Sequence, residues 1–392
     1  MSDHSYLFAR RMDQMRPSTI REILKVTAQP EVISFAGGLP APELFPVAEV
    51  KVAADTALTK YGSQALQYGP SEGVPLLREW VAAEMGQRGV KAVAADVLMT
   101  NGSQQVLDLA GKLFLNPGDV VLTENPTYLA AIQAFQTFEV KFVPVPTDEN
   151  GLIPETLPEL IRQHKPKFLY TIPNFQNPTG ITLSAARRQA LAKIAAEHKL
   201  VVVEDDPYGK LRYHGTEIPP IKHWDEAGQV LYASTFSKTI APGLRLGWVV
   251  APPEVFSRLL ILKQASDLHT SSFDQLVAYF YLTQNDQVAH LNKIRHAYGE
   301  RYGVLDEALR TMMPAGFTWT KPEGGMFLWV TGPEKLDAME LLKRAIEQKV
   351  AFVPGRDFFP ADAGRNFLRL NYSNSTPERI REGVKRLAAL CK

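Results

Sequence analysis

A short stretch of the chain places one lysine between hydroxyl groups and an arginine. It reads Ser-Thr-Phe-Ser-Lys-Thr-Ile-Ala-Pro-Gly-Leu-Arg-Leu-Gly over residues 234–247, between two apolar runs that predict buried strands. A lysine held in a cleft loses solvation, so its pKa falls and its amine can attack a carbonyl group. The hydroxyls and Arg245 are donors that fit phosphate oxygens. Lys238 beside such donors is what pyridoxal 5'-phosphate requires; the alternative is a solvated loop with an ordinary lysine and arginine.

Other polar residues follow apolar runs at the points where strands are predicted to end. They are Ser103 after residues 97–100, Tyr128 after 119–123, Asn177 after 168–172, and Asp205 after 200–203. Ligands of open α/β sheets bind outside the carboxyl ends of the strands, so we expect these residues to converge with Lys238 on one crevice. The choice of Asp205 over its neighbour Asp206 depends on the spacing to Tyr208.

Apolar strands alternate with helical segments along most of the chain. This alternation predicts an α/β fold with a large domain built on a doubly wound, mostly parallel sheet. From about residue 286 a long helix is followed by short strands, which is typical of a smaller α+β domain. We predict an N-terminal arm with part of the small domain over 1–47, a large domain over 48–285 and a small C-terminal domain over 286–392.

The helices of this prediction lie between the apolar runs. They cover about 74–86, 106–114, 184–198, 288–312 and 338–348, and a further helix begins at Ser18. In the small domain, strands are predicted near 317–320, 325–330, 351–353 and 367–371.

The composition argues against several classes of protein. The 392 residues carry a net charge of +1, which gives no basic surface for nucleic acid. No apolar run approaches the length of a membrane span, and residues 1–16 do not resemble a signal peptide. The one cysteine, Cys391, has no partner for a disulfide within the chain, which fits a reducing compartment. We therefore expect a cytoplasmic protein without nucleic-acid or membrane partners and without a metal site.

Several motifs occur together in one order: Asn177-Pro178-Thr179-Gly180, Asp205-x-x-Tyr208, Ser237-Lys238 and Arg245. In this order and spacing the chain resembles the fold-type I, pyridoxal-phosphate-dependent aminotransferases of class I/II, over nearly its whole length. It is most similar to the 2-aminoadipate and kynurenine aminotransferase II subgroup. The closer match is carried by Ser18-Thr19-Ile20-Arg21-Glu22, Ser34-Phe35-Ala36-Gly37-Gly38-Leu39-Pro40, Gly102-Ser103-Gln104-Gln105, Asp267-Leu268-His269-Thr270 and Pro322-x-Gly324-Gly325-Met326-Phe327.

The resemblance implies how the cofactor is held. Lys238 binds it covalently and moves the substrate proton, and Asp205 pairs with the pyridine nitrogen. The remaining contacts are Asn177 and Tyr208 to the phenolic oxygen, Tyr128 on the ring face, and Ser103, Gln104, Thr235 or Ser237, and Arg245 to the phosphate. In the family, Tyr68 reaches the phosphate of the partner subunit, which implies a homodimer with shared active sites.

The resemblance also implies how the amino acid and the 2-oxo acid bind. Arg369 grips the α-carboxylate as a bidentate pair, helped by Gly38 and Asn177. We expect Arg21 to bind the distal carboxylate of an acidic donor such as 2-aminoadipate or glutamate, with leucine and aromatic amino acids also accepted. The alternative for Arg21 is an exposed helix arginine paired with a nearby glutamate.

Two other functions are compatible with the same motifs. A lyase, a decarboxylase or a cyclopropane-forming synthase on this fold would keep the cofactor and break a different bond. Some bacterial transcription regulators carry this subgroup's domain behind a DNA-binding winged helix. That function needs several dozen residues before the pattern that begins at Ser18, so we do not expect it.

Overall fold

The computed structural model of the chain describes residues 7–13, 15, 23, 29–361 and 363–391. Arg21 and the predicted start of a helix at Ser18 lie outside the described residues. The helices are α1 (Val47–Tyr61), α2 (Ser63–Leu66), α3 (Pro75–Gln87), α4 (Ser103–Phe114), α5 (Leu129–Gln136), α6 (Leu157–His164), α7 (Ala185–His198), α8 (Pro253–Asp267), α9 (Ser272–Gln284), α10 (Gln287–Met312), α11 (Ala338–Glu347) and α12 (Pro377–Leu390). No helix in the described ranges is long and apolar enough to cross a membrane.

The strands form a large central sheet and three smaller ones. They are β1 (Ile33–Ser34), β2 (Val97–Thr100), β3 (Val120–Thr123), β4 (Lys141–Pro144), β5 (Thr147–Asp148), β6 (Gly151–Leu152), β7 (Phe168–Thr171), β8 (Val201–Asp205), β9 (Val230–Thr235), β10 (Gly247–Val250), β11 (Thr318–Trp319), β12 (Phe327–Thr331), β13 (Val350–Ala351), β14 (Val353–Pro354) and β15 (Phe367–Asn371).

The central sheet has seven strands in the order β2-β10-β9-β8-β7-β3-β4. Its strands pair in parallel except at β10, which is antiparallel to both of its neighbours. Strands β7, β8 and β9 are almost entirely buried and begin with apolar residues, as expected where helices cover both faces of a sheet. The prediction of a mostly parallel, doubly wound α/β fold is confirmed.

A second sheet, of order β11-β12-β15-β14, is antiparallel and lies in the C-terminal part of the chain. Strand β1 pairs in parallel with β13, so residues 33–34 join this part although they are distant in sequence. One continuous apolar core contains both Phe168 of the central sheet and Phe327 of the second sheet. The domain boundaries at residues 47 and 285 remain a prediction.

Two element boundaries differ from the sequence prediction in ways that affect the site. Helix α4 begins at Ser103 rather than Val106, because Gly102 has a φ of 70° and turns the chain directly after β2. Strand β8 continues through Asp205, two residues beyond the apolar run. The predicted strand over 351–353 is divided between β13 and β14, which belong to different sheets.

Candidate active site

A cavity of about 610 Å³ lies at the carboxyl ends of the central strands. It brings together twelve of the residues that the sequence singles out: Gly38, Ser103, Gln104, Tyr128, Asn177, Asp205, Tyr208, Thr235, Ser237, Lys238, Arg245 and Arg369. Tyr68 does not line this cavity; its side chain is exposed and lies edge-on to the ring of His269. Arg21 lies outside the described residues.

Lys238 ends a single 3-10 turn that follows β9. Its Nζ donates to the carbonyl oxygen of Gly38 at 2.9 Å. Burial, with smaller effects from the cations Arg369 and Arg245, lowers the pKa of Lys238 to about 8. A substantial fraction of this amine is therefore neutral near pH 8, which is the form that attacks carbonyl carbon and accepts protons.

Asp205 is the last residue of β8 and is almost completely buried. The hydroxyl of Tyr170 donates to its Oδ2 at 2.9 Å, and its buried Oδ1 has no hydrogen-bond partner among the described residues. Burial, with a smaller effect from the charge of Asp206, raises the pKa of Asp205 to about 7, although the hydroxyls of Tyr170 and Ser103 lower it. An unpaired carboxylate oxygen at a cavity wall calls for a cationic donor, and the protonated pyridine nitrogen of pyridoxal 5'-phosphate has that chemistry.

The neighbouring Asp206 faces away from this cavity and is fully paired. Its Oδ2 accepts from Arg88 and from the Tyr232 hydroxyl, each at 2.9 Å. Its Oδ1 accepts from Asn174 and from the backbone of Gly209, also at 2.9 Å. Burial alone raises the pKa of Asp206, but Arg88 and these donors hold it below its ordinary value. Of the two neighbours, only Asp205 has a free oxygen at the cavity.

Arg369 projects from β15 and is buried between two aromatic rings, 4.3 Å from the centre of Phe327 and 5.1 Å from that of Phe358. Its Nη1 donates to Asn177 Oδ1 at 2.9 Å and its Nη2 to the carbonyl oxygen of Ala36 at 2.6 Å. Burial lowers its pKa to about 10, so it stays charged at neutral pH. No acidic side chain of the described residues pairs with it, and its Nε has no partner there. A buried cation of this kind favours an anionic ligand.

Asn177 connects Arg369 to Tyr208. The amide nitrogen of Asn177 donates to the Tyr208 hydroxyl at 3.4 Å. Burial raises the pKa of Tyr128 to about 12, and the carboxylate of Asp205 adds to the effect, so this phenol is neutral in the folded chain. Asn177, Tyr208 and Tyr128 therefore add polar groups to the lining of the cavity.

The first residues of α4 and Arg245 also line the cavity and provide donors that suit an anion; we call them the anion site. Arg245 Nη2 lies 3.3 Å from the carbonyl oxygen of Asn101, and its Nη1 lies 3.5 Å from the Ser237 hydroxyl. Gly102 has a φ of 70°, which residues with a side chain rarely adopt, and a Cβ there would lie 2.6 Å from Arg245 Nη2, so that guanidinium would have to move. Free backbone N–H groups at the start of a helix bind phosphate, and the guanidinium of Arg245 adds further donors and a positive charge. The residues present therefore fit pyridoxal 5'-phosphate.

Hydrogen bonds of the Thr235 hydroxyl hold the turn after β9 beside the anion site. The Thr235 hydroxyl donates to the carbonyl oxygen of Leu246 at 2.8 Å and accepts from the backbone N–H of Ser237 at 3.1 Å. Gln104 lies on the first turn of α4, with its amide nitrogen 3.5 Å from the carbonyl oxygen of Ala130. Among the described residues, no group of His, Cys, Asp and Glu side chains is placed to hold a metal ion.

The sequence prediction missed Tyr170. Tyr170 in β7 pairs with Val203 in the neighbouring strand β8. Val203 is two residues before Asp205, so the side chains of Tyr170 and Asp205 lie on the same face of the sheet. The signal available in the sequence was a hydroxyl-bearing residue inside an otherwise apolar run. That signal becomes specific only once the register between the two strands is known.

The fold and the cavity define a class, the pyridoxal-phosphate enzymes of fold type I. Within it, residues 31–387 match the family model described as aminotransferase class I and II, and the chain belongs to this family.

Three relatives extend this result. An aromatic-amino-acid aminotransferase of Thermococcus litoralis is 45% identical over 396 residues, which cover 100% of this chain and 95% of the relative. A 2-aminoadipate transaminase of Thermus thermophilus is 43% identical, over 99% of this chain and 97% of the relative. The crystal structure of an alpha-aminoadipate aminotransferase from Thermus thermophilus, complexed with N-(5'-phosphopyridoxyl)-L-leucine, superposes with a TM-score of 0.93 at 40% identity and covers 100% of this chain and 98% of that one. The predicted class, its 2-aminoadipate subgroup and its cofactor are confirmed: the chain is a pyridoxal-phosphate-dependent aminotransferase.

Proposed function

We propose that this aminotransferase moves the amino group of an L-amino acid to a 2-oxo acid such as 2-oxoglutarate, in two half-reactions centred on Lys238. The proposed donors are 2-aminoadipate and glutamate, together with leucine and aromatic amino acids. The observation that carries the proposal is the buried, unpaired Arg369 in the same cavity as Lys238. An amino acid supplies both partners, since its carboxylate suits the guanidinium while its amino-bearing carbon lies toward the lysine.

Each wall of the cavity has a proposed role toward the cofactor. The free oxygen of Asp205 accepts from the ring nitrogen, and Asn177 and Tyr208 donate to the phenolic oxygen. Tyr128 covers the ring face. The phosphate is assigned to the residues around the start of α4 and the turn after β9, namely Ser103, Gln104, Thr235, Ser237 and Arg245.

Lys238 has the chemistry of both a nucleophile and a proton carrier. When bound, the cofactor supplies an electron sink for the electron pair that remains after the substrate's α-proton leaves. The Nζ of Lys238, with a pKa of about 8, accepts that proton and delivers it to the other side of the transferred nitrogen. Its hydrogen bond to the carbonyl oxygen of Gly38 holds Nζ at the wall of the cavity that contains Arg369. One group therefore serves both directions of the proton transfer.

Arg369 and Asn177 are the proposed grip on the α-carboxylate. Arg369 Nη1 donates one N–H to Asn177 Oδ1, and Nη2 donates one to the carbonyl oxygen of Ala36. These two hydrogen bonds fix the orientation of the guanidinium plane. The remaining donors are free for a bidentate contact. Gly38 borders the same space, where a Cβ would lie 3.1 Å from the ring of Phe327, so glycine keeps that side open.

The range of donors is proposed from relatives and from Arg21. The named relatives act on aromatic amino acids and 2-aminoadipate, and one is complexed with a phosphopyridoxyl derivative of leucine. Arg21 is the proposed partner of a distal carboxylate. An apolar donor makes no contact of this kind, so only acidic donors depend on it.

A homodimer is proposed to complete the site through Tyr68. Tyr68 is 78% exposed and belongs to none of the apolar clusters found among the described residues. Leu66 and Leu268 nearby are also exposed, at 72% and 47%. Exposed apolar side chains grouped in this way are typical of a surface that a partner covers. We also propose a cytoplasmic location, because the lone Cys391 is a free thiol.

The test is a panel of amino donors assayed on the wild type and on Arg21→Ala. 2-Oxoglutarate is the acceptor for every donor except glutamate, which gives no net reaction with it and is therefore followed in the half-reaction through the cofactor's absorbance. Removing a charge-assisted pair lowers kcat/KM for 2-aminoadipate and glutamate by about 10- to 150-fold, equivalent to about 1.5–3 kcal/mol, and leaves leucine and phenylalanine nearly unchanged. Arg11→Ala is the control, since Arg11 is exposed on the same arm. An equal loss for all donors would contradict the role of Arg21.

The same assay separates transamination from other reactions of this cofactor. An aminotransferase forms one equivalent of new 2-oxo acid from the donor for each glutamate formed from 2-oxoglutarate. A lyase or decarboxylase consumes the donor without aminating the acceptor. Donor consumption without glutamate would overturn the proposed function.

A further inference from the structure

A buried ion pair lies beneath the turn that starts α4, outside the cavity. Lys263 of α8 has no exposed surface, and its Nζ uses all three donors. It donates to Asp267 Oδ2 at 2.8 Å, to Gln105 Oε1 at 2.8 Å and to the Thr270 hydroxyl at 2.9 Å. Burial lowers the pKa of Lys263, while the carboxylate of Asp267 opposes that effect. Burial of a lysine is costly, so its full pairing indicates a defined structural task.

The acceptors of Lys263 also hold Asn101. The amide nitrogen of Asn101 donates to Asp267 Oδ2 at 2.5 Å, and its backbone N–H donates to Gln105 Oε1 at 2.9 Å. Gln105 itself donates to the same Asp267 oxygen at 2.8 Å. The side chain and the backbone of Asn101 are thereby fixed to α8 and to the first turn of α4.

Asn101 is the residue before the Gly102-Ser103 turn, and its position determines where that turn points. Glycine at φ 70° gives the turn no side chain with which to anchor itself. On its other side the turn packs on β10, where a Cβ on Gly247 would lie 2.7 Å from the backbone nitrogen of Ser103. The carbonyl of Asn101 also accepts from Arg245 at 3.3 Å. Movement of Asn101 would therefore displace both parts of the anion site.

We propose that Lys263, Asp267 and Gln105 are positioning residues that hold Asn101 and thereby aim the start of α4 and Arg245 at the cofactor's phosphate. None of the three lines the cavity, so they act only through the turn. The inference rests on the proposed assignment of Ser103, Gln104 and Arg245 to the phosphate. It assigns a function to a lysine that takes no part in the chemistry at Lys238.

The test compares two ligands that differ only in the phosphate. The cofactor is removed from the full chain, and dissociation constants are measured for pyridoxal 5'-phosphate and for pyridoxal. Asn101→Ala and Lys263→Met are each expected to raise the constant for pyridoxal 5'-phosphate about tenfold, the equivalent of one lost hydrogen bond to a charged group, and to change that for pyridoxal by less than about twofold. The ³¹P resonance of the bound cofactor should shift in the same variants.

The control is Lys112→Met. Lys112 of α4 pairs with Asp108 of its own helix and donates to the Ser266 hydroxyl of α8, so it joins the same two helices at the surface. Its substitution should leave both dissociation constants unchanged. Asn101→Ala leaves the Lys263–Asp267 pair intact, so it carries the test if Lys263→Met does not fold. Equal weakening of both ligands, or an unchanged ratio in Asn101→Ala, would overturn the inference. Arg245→Met separates this result from the proposed function: if it too leaves the ratio unchanged, the phosphate assignment itself is wrong.

Discussion

Asp205 and Asp206 are neighbours in sequence, and their substitution should have opposite consequences. Asp205 has a free oxygen at the cavity, whereas Asp206 is paired on both oxygens. Asp205→Asn should therefore strongly lower kcat while stabilising the cofactor-free chain. Asp206→Asn should lower the free energy of unfolding, because it deprives the buried Arg88 of the more buried of its two carboxylate partners, Asp206 and Glu217.

The magnitude for Asp205 follows from its pKa, which burial raises from 3.8 to about 7. Between pH 3.8 and about 7 the folded chain holds a proton on Asp205 that the unfolded chain has released. The free energy of unfolding therefore falls as pH rises through this range, and the contribution of Asp205 is constant above it. The difference amounts to about 4 kcal/mol. Asn cannot ionise, so the advantage of Asp205→Asn over the wild type should be absent below about pH 4 and should grow toward about 4 kcal/mol by pH 8.

The magnitude for Asp206 follows from its ion pair. Removing one member of a buried pair costs about 3–5 kcal/mol where the other charge stays buried without compensation. Glu217 remains 3.1 Å from Arg88 Nε, so the loss should lie at or below the lower end of that range. For the rate, loss of the partner of the ring nitrogen in Asp205→Asn should lower kcat about 10²- to 10³-fold. In Asp206→Asn the folded fraction should keep most of its kcat, since Asp206 does not touch the cavity.

The assay pairs urea unfolding of the cofactor-free chain between pH 4 and pH 8 with steady-state transamination by the holoenzyme. Wild type and variant are compared at each pH, so that the other titrating groups cancel. Destabilisation of the Asp205→Asn chain at pH 8, or equal losses of kcat in the two variants, would refute the assignment of the free oxygen to Asp205.

Two further predictions concern side chains around the cofactor. Lys238→Ala should abolish turnover but still bind pyridoxal 5'-phosphate non-covalently. When the cofactor is removed from the wild type and added back, the rate of its capture should rise with pH with a midpoint of about 8, because the neutral amine of Lys238 is the reactive form. A flat pH profile would contradict the depressed pKa. Tyr170→Phe removes a hydrogen bond that lowers the pKa of Asp205, so that pKa should rise further. The fall in the free energy of unfolding with pH should then extend to higher pH, and kcat/KM should fall by up to about tenfold. Unfolding and rate measurements on this variant that match the wild type would show that Tyr170 does not position Asp205.

Sequence reasoning succeeded where the pattern is local. Apolar runs between helical segments predicted the central strands within a few residues, because strands buried on both faces of a parallel sheet are mostly apolar. The prediction that Ser103, Tyr128, Asn177, Asp205 and Lys238 share a crevice followed from topology, and the cavity contains all five. Their individual roles remain predictions.

The sequence did not reveal the contacts that orient these residues. Tyr170 and Asp205 are 35 residues apart, and Lys263 and Gln105 are 158 apart. Such pairs depend on strand register and on the packing of α8 against α4, which periodicity does not specify. A single polar residue in an apolar run resembles any other until its partner is known. The start of α4 was placed three residues late because the turn at Gly102 replaces the apolar signal.

The most direct test of the central claim is to locate the covalent bond between chain and cofactor. The holoenzyme is reduced with borohydride and digested, and the peptide that carries the pyridoxyl group is sequenced. The account predicts a single modified residue, Lys238, whose buried amine lies in the cavity with Asp205 and Arg369. Modification of Lys263 or Lys210 instead would contradict it.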